Sequence, residues 1–104
     1  MPMNEAIRAV APALENYAQG RLFGDVWKRA DLSPRDRSIV TLAAMIARNQ
    51  TTEMPFYLKL ALDNGVKPGE ISELITHLAF YSGWPTAMSA ANVAKKVIED
   101  AEKK

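Results

Sequence analysis

Few side chains in this sequence are equipped for chemistry. There is one histidine, His77, and there is no cysteine. A lone imidazole suits proton transfer near neutral pH. Within one chain, however, these counts exclude a multi-histidine metal site, a cysteine-based zinc site, an iron–sulfur cluster and every thiol mechanism. His77 falls between Glu73 and Tyr81 at successive i, i+4 steps, along one edge of the apolar stripe Ile71, Ile75 and Leu78. It can take a hydrogen-bond partner from either side, and a single histidine at a core edge more often serves structure than catalysis. Glu53, Tyr57 and Asn64 lie within about 40° of one another on a helical wheel, on a face that Phe56 and Leu60 are expected to turn into the core. A carboxylate on an apolar face needs a partner, or its pKa rises. The simpler alternative is an exposed carboxylate near a helix start, favoured by the dipole.

Other candidates are weaker on their own. Ser38 falls beside Leu42 and Met45 on an apolar stripe, and its hydroxyl is expected to bond back to the carbonyl of Pro34. Nothing local supplies the base that would make it a nucleophile. Arg37 and Arg48 share one helix face and could anchor an anionic substrate. A solvated helix face is the alternative, and the one preferred for Arg48. Met1, Met3, Met45, Met54 and Met88 suit core filling or an adaptable pocket lining. Trp27 and Trp84 read as core or interface anchors. Neither GxGxxG nor GxxxxGK[ST] occurs, and there is no haem or flavin motif.

These residues must be positioned by helices. Ile7, Val10, Ala11, Leu14, Tyr17 and Ala18 follow helical spacing, interrupted by Pro12, which predicts a short first helix and a second with Pro12 in its first turn. Gly20 and Gly24 punctuate the chain before an apolar cluster of Phe23, Val26 and Trp27 on a short helical stretch. Ser33, Pro34 and Asp36 mark a sharp helix start, and that helix runs to about Arg48 with Ile39, Leu42, Met45 and Ile46 as its stripe. After a polar break at residues 49–52, Thr51 or Thr52 is expected to cap a helix that ends at Asp63-Asn64-Gly65. Pro68 opens another, closing at Gly83, and Pro85 opens the last. The last helix is rich in alanine (Ala87, Ala91, Ala94, Ala101), which fits intramolecular packing or a subunit interface equally. No segment alternates at period two for long enough to form a strand, so the fold class is all-α.

The chain has 104 residues, which predicts a single domain over 1–104 with a modest core. Apolar residues make up 48% and charged residues 24%, a globular balance rather than a disordered one. Thirteen basic and 12 acidic residues leave a net charge of +1, too weak a field to imply nucleic acid or an anionic membrane as partner. Glu5, Arg8 and Glu15 interrupt the first 18 residues, so no targeting segment is expected. No stretch approaches the about 18–20 apolar residues of a membrane span. Absence of disulfides fits the cytoplasm.

Taken in order, Phe23-Gly24-Asp25-Val26-Trp27, Leu32 to Ser38, Thr41-Leu42-Ala43-Ala44, Ala61 to Val66 and His77 to Ala87 resemble the carboxymuconolactone decarboxylase family, of the alkylhydroperoxidase D-like fold group. The resemblance spans about residues 22–98, and its most specific piece is His77-Leu78-Ala79-Phe80-Tyr81-Ser82-Gly83-Trp84-Pro85-Thr86-Ala87. It implies a helical bundle with a central antiparallel helix hairpin, assembled as a homo-oligomer, a trimer or hexamer. It also implies lyase chemistry in aromatic-acid breakdown: cofactor-free, metal-free loss of carbon dioxide from a small carboxylated lactone, whose conjugated carbonyl takes up the electrons. His77 would carry the proton, with Glu53 as its acidic counterpart and Tyr57 as a hydrogen-bond donor. Arg37, Ser38, Tyr81 and Trp84 are the expected substrate-binding residues. The peroxidase branch of the group uses two cysteines, which fall at Gln50 and Glu53 here. That branch's glutamate falls at Ser38 and its histidine at Tyr57. Without thiols, peroxide reduction of that kind is chemically untenable. A catalytically inactive helical module that binds a ligand or partner is the alternative.

Overall fold

The computed structural model describes residues 5–103 and is built of helices, with no strand among the described residues. Met1 and Met3 lie outside the described residues. The chain divides into two compact units, the first ending at Pro34 and the second beginning at Arg35.

In the first unit α1 (Glu5–Val10) and α2 (Pro12–Tyr17) are separated at Ala11, as the proline spacing predicts. Pro12 opens α2, where its missing N–H costs nothing. Arg8 holds the pair together, donating to Glu15 at 2.8 Å and to Glu5 at 3.1 Å. A wide helical turn over Ala18–Phe23 and a tight one over Val26–Lys28 follow. The rings of Phe23 and Trp27 stack there, 5.9 Å apart.

The second unit carries the core. Its helices are α3 (Pro34–Ala47), α4 (Met54–Asp63), α5 (Pro68–Ser82) and α6 (Trp84–Glu102). Leu42, Ile46, Met54, Leu58, Ala61, Val66, Ile71, Ala90 and Ala94 form one buried cluster drawn from all four. Fully burying a side chain the size of Leu, Ile or Met contributes about 1.5–3 kcal/mol, an upper range because the unfolded chain already hides some apolar surface. Helices α5 and α6 form an antiparallel hairpin closed at Gly83. Ile71 and Ser72, early in α5, border a groove with Ala94, Lys95 and Ile98, late in α6, while Ala79 borders Ala87 and Met88. Gly83 makes this reversal at φ 105°, a conformation that a Cβ would strain. Buried Ala87, Ala90 and Ala94 give the last helix its close intramolecular packing.

Helix ends in this unit are closed by backbone geometry. Gly65, at φ 95°, donates its N–H to Leu62 O at 3.1 Å, and Val66 donates to Ala61 O at 2.9 Å. This is the Schellman arrangement, with Val66 delivered into the core behind it. The start of α5 is fixed by Glu70. Its carboxylate accepts the Lys67 N–H at 2.9 Å and also pairs with Arg35 at the start of α3. Both contacts favour the charged form, so the Glu70 carboxyl is held below its ordinary range, first by the Lys67 N–H and then by Arg35.

Two local expectations are corrected. Neither Thr51 nor Thr52 caps α4: both lie in the turn before it, and Glu53 occupies the cap position without a side-chain cap bond. The buried face of α4 is the one bearing Met54, Leu58 and Ala61, about 100° around the helix from Glu53. Phe56 and Leu60 are only partly buried. Periodicity pointed to the wrong stripe because α4 is apolar nearly all round, so its pattern left the inward face undetermined. No helix among the described residues is long and apolar enough to cross a membrane.

Candidate functional site

The site is made where α3 turns into α4. Thr41, Ala44, Met45 and Arg48 recur at helical spacing and so share a face of α3. Just past the helix end, Asn49 adopts a left-handed conformation, φ 56°, which asparagine tolerates better than most residues. Its N–H bonds Ile46 O at 3.1 Å, and the N–H of Gln50 bonds Met45 O at 2.9 Å. These bonds satisfy the last carbonyls of α3 and swing the chain back over the face it has just left. Gln50 and Glu53 thereby come to line one open cleft of about 240 Å³ with Thr41, Ala44, Met45 and Arg48.

Within this cleft Glu53 sits at the N-terminal end of α4, where the helix dipole favours a negative charge. It is exposed, not turned into an apolar face, which is the simpler of the two sequence-level alternatives. Tyr57 follows one turn on, its backbone N–H approaching the Glu53 carbonyl at 3.5 Å. Its ring is half-buried and meets Phe56 edge to face at 5.0 Å. Burial, reinforced by the negative charge of Glu53, raises the Tyr57 phenol above 10.0. At neutral pH Tyr57 is therefore a hydrogen-bond donor and not a base.

The remaining candidates are dispersed. Ser38 is 2% exposed on the inner stripe of α3 with Leu42 and Ile46, and its Oγ accepts a hydrogen bond from Asn64 Nδ2 at 3.0 Å. Its position on the apolar stripe is as expected, but the bond from Asn64, across from the end of α4, has no sequence signal. Arg37 is partly buried, already engaged with other groups, and outside the lining of the cleft. His77 is not at the edge of the core: it is exposed on the outer face of α5 together with Glu73 and Tyr81. The i, i+4 stacking with Tyr81 is present, ring centroids 4.9 Å apart. Tyr81 and Trp84 are 77% and 58% exposed, and Trp84 meets Phe80 edge to face at 5.6 Å. Thus Glu53 lines the cleft with Tyr57 one helical turn behind it and outside the lining, while His77, Tyr81 and Trp84 share an outward surface at the closed end of the α5–α6 hairpin.

Periodicity missed Arg48, Gln50 and Thr41 as lining residues. The one signal for Arg48 was its shared face with Arg37; nothing in the pattern foretold the turn that brings Gln50 and Glu53 back to it. Among the described residues no three His, Asp or Glu side chains gather into a metal-binding group.

Comparison with known proteins places this geometry. Residues 12–96 match the profile of the carboxymuconolactone decarboxylase family. The chain is 34% identical over 86 residues to 4-carboxymuconolactone decarboxylase of Acinetobacter baylyi, covering 83% of this chain and 64% of that protein. It is 36% identical over 78 residues to nitrosuccinic acid decarboxylase of Metarhizium robertsii, covering 75% of this chain and 54% of that protein. The chain thus spans between about half and two-thirds of the length of these relatives. The matched segment contains the whole of α3, the turn that builds the cleft, and α4 and α5, so the sequence motifs, the all-α architecture and the profile agree: the chain belongs to the carboxymuconolactone decarboxylase family.

Proposed function

We propose that this chain is a cofactor-free carboxy-lyase acting on a small carboxylated lactone or a related acid, with the α3–α4 cleft as its substrate site. The observation that carries this reading is the convergence of Arg48, Gln50 and Glu53 on one cleft, with Tyr57 a turn away, inside the segment matched to the family. The relatives' names denote small acids that carry their own electron acceptor, a lactone carbonyl in one and a nitro group in the other. Such a substrate takes up the electron pair released as the carbon–carbon bond to the carboxylate breaks. The protein then has to hold the acid, stabilise the charge developing on the acceptor, and return a proton to it.

In this reading a cationic side chain holds the carboxylate and the Tyr57 hydroxyl donates to the developing oxyanion. Glu53 and His77 handle the proton. Because His77 faces outward on α5, it serves the cleft of a second copy of the chain. A homo-oligomer, trimer or hexamer, is part of the proposal. It is supported by the exposed side chains Phe80, Tyr81, Trp84 and Met88, and by Val10, Leu14 and Tyr17 in the first unit. Work in the cytoplasm and a place in aromatic-acid breakdown are further parts of the proposal. The cleft volume lies below the about 300–1,000 Å³ of pockets for drug-sized ligands, which suits a small acid.

The test is carbon dioxide release from a panel of lactone carboxylates and nitro-substituted diacids, with wild type, Glu53→Gln and His77→Gln. Turnover by the wild type that falls by about 100-fold or more in Glu53→Gln supports the assignment. Absence of turnover on every acid refutes it, and an unchanged rate in His77→Gln removes His77 from the mechanism.

A further inference from the structure

We infer that Arg48, and not Arg37, is the residue that grips the substrate's carboxylate in the α3–α4 cleft. The inference rests on the reading of this cleft as the substrate site and adds the binding residue.

Charge pairing separates Arg48 from four of the other arginines. Arg8, Arg21, Arg29 and Arg35 each have a carboxylate of this chain within 4.0 Å. Arg48 has none among the described residues, although it lines the same cleft as Glu53. Glu53 likewise forms no ion pair. Opposite charges that border one small space without meeting leave room for a ligand between them. A guanidinium offers a carboxylate two parallel donors in a fixed plane, and that geometry gives more than a point charge would. Gln50 adds an amide to the lining, while Ala44 and Met45 provide the apolar part; the Thr41 hydroxyl already donates to Arg37 O at 2.8 Å.

Arg37 cannot share the task. It lies eleven residues earlier on the same stripe, roughly 16 Å away along the helix axis at 1.5 Å per residue. It is partly buried and outside the cleft lining. One carboxylate cannot reach both.

The carboxylate of Glu53 gives the site a second signature. A dicarboxylate gripped by Arg48 brings its second charge into the cleft that Glu53 borders, so Glu53 opposes binding while Arg48 favours it. Changes at the two residues must therefore act in opposite directions on the affinity for the same ion, which a general loss of folding does not reproduce, and a diffuse field effect is separated by Arg37→Gln, which removes the same charge as Arg48→Gln.

The probe is succinate, a dicarboxylate with no electron acceptor to support loss of carbon dioxide, titrated calorimetrically into the full chain at pH 7 and moderate salt. Saturable binding is expected. Arg48→Gln should weaken it by roughly tenfold, as befits loss of a charge-assisted pair. Glu53→Gln should tighten it by a few-fold, and Arg37→Gln should leave it within twofold. Far-ultraviolet circular dichroism of each variant confirms folding, and Arg48→Lys, which keeps the charge and loses the fork, should recover only part of the affinity. Equal binding by Arg48→Gln and wild type, a tenfold loss in Arg37→Gln, or no binding of succinate by the wild type overturns the proposal. The two readings fail separately. Arg48-dependent binding without turnover on any lactone or nitro acid sinks the lyase assignment alone, whereas turnover that is indifferent to Arg48 sinks the anchor alone.

Discussion

The Ser38–Asn64 hydrogen bond decides whether Ser38 is a substrate contact or part of the frame, and a double-mutant cycle measures it. Ser38 is 2% exposed, so a ligand in the cleft has no access to its hydroxyl. Its Oγ accepts from Asn64 Nδ2 at 3.0 Å, an ordinary neutral bond between the inner stripe of α3 and the residue that ends α4. Such a bond contributes about 1 kcal/mol net, and leaving a buried partner unpaired costs about 1–3 kcal/mol. Asn64 is only partly buried and recovers some hydration, which places Ser38→Ala near the lower half of that range, about 1–2 kcal/mol. Asn64→Ala should cost about 1 kcal/mol, and the double variant should fall short of the sum by about 0.5–1.5 kcal/mol. For a folded unit of this size each kcal/mol moves the midpoint by about 4–8 °C. Urea and thermal unfolding of the four proteins give the coupling directly. Succinate binding of Ser38→Ala, corrected for the folded fraction, should match the wild type. A coupling below about 0.3 kcal/mol would show that the bond contributes nothing. A weakened affinity at unchanged stability would return Ser38 to the substrate site.

Three further outcomes follow from the same geometry. Gly65→Ala meets no neighbouring atom but forces a Cβ onto a backbone at φ 95°, so urea unfolding should show a loss of about 1–2 kcal/mol from strain alone. Leu58→Ala, at 1% exposure in the cluster shared by four helices, should cost about 2–5 kcal/mol in the same assay. Because Glu70 is held below its ordinary value of 4.5, its contacts with Lys67 and Arg35 stabilise the fold above that pH and lose their effect as pH falls through the lower folded-state value. Thermal midpoints of wild type should therefore exceed those of Glu70→Gln at pH 7 and converge with them near pH 2; a gap that widens on acidification would reverse the assignment.

Helix positions were legible in the sequence because their punctuation is local. Pro12, Pro34, Pro55 and Pro68 each stand in a first turn, and Gly65 and Gly83 take the positive φ that closes a helix. On α3, Leu42 and Ile46 of the expected stripe are buried with Ser38 beside them, while Ile39 and Met45 are only partly buried. In α4 the same procedure failed: with apolar residues on most of its surface, the face turned inward is chosen by what packs against it, here α6, and not by its own pattern. His77 illustrates the same limit from the other side. Its spacing from Tyr81 gave the ring contact correctly, but the width of the buried stripe on α5, and hence the exposure of His77, depends on how closely α6 approaches.

The chain by itself determined which chemistry is closed to it, since no fold can supply an absent thiol. It also determined the helical framework and the family, since caps, turns and motif order act over a few residues at a time. Tertiary structure alone decided the site. Arg48 and Glu53 become neighbours on one cleft only because Asn49 takes a left-handed turn and folds the start of α4 back onto α3. Ser38 leaves the list of substrate contacts only because Asn64, 26 residues on, meets it in the interior. The Ser38–Asn64 pairing is a long-range event, set by the packing of helices whose sequences carry no record of one another.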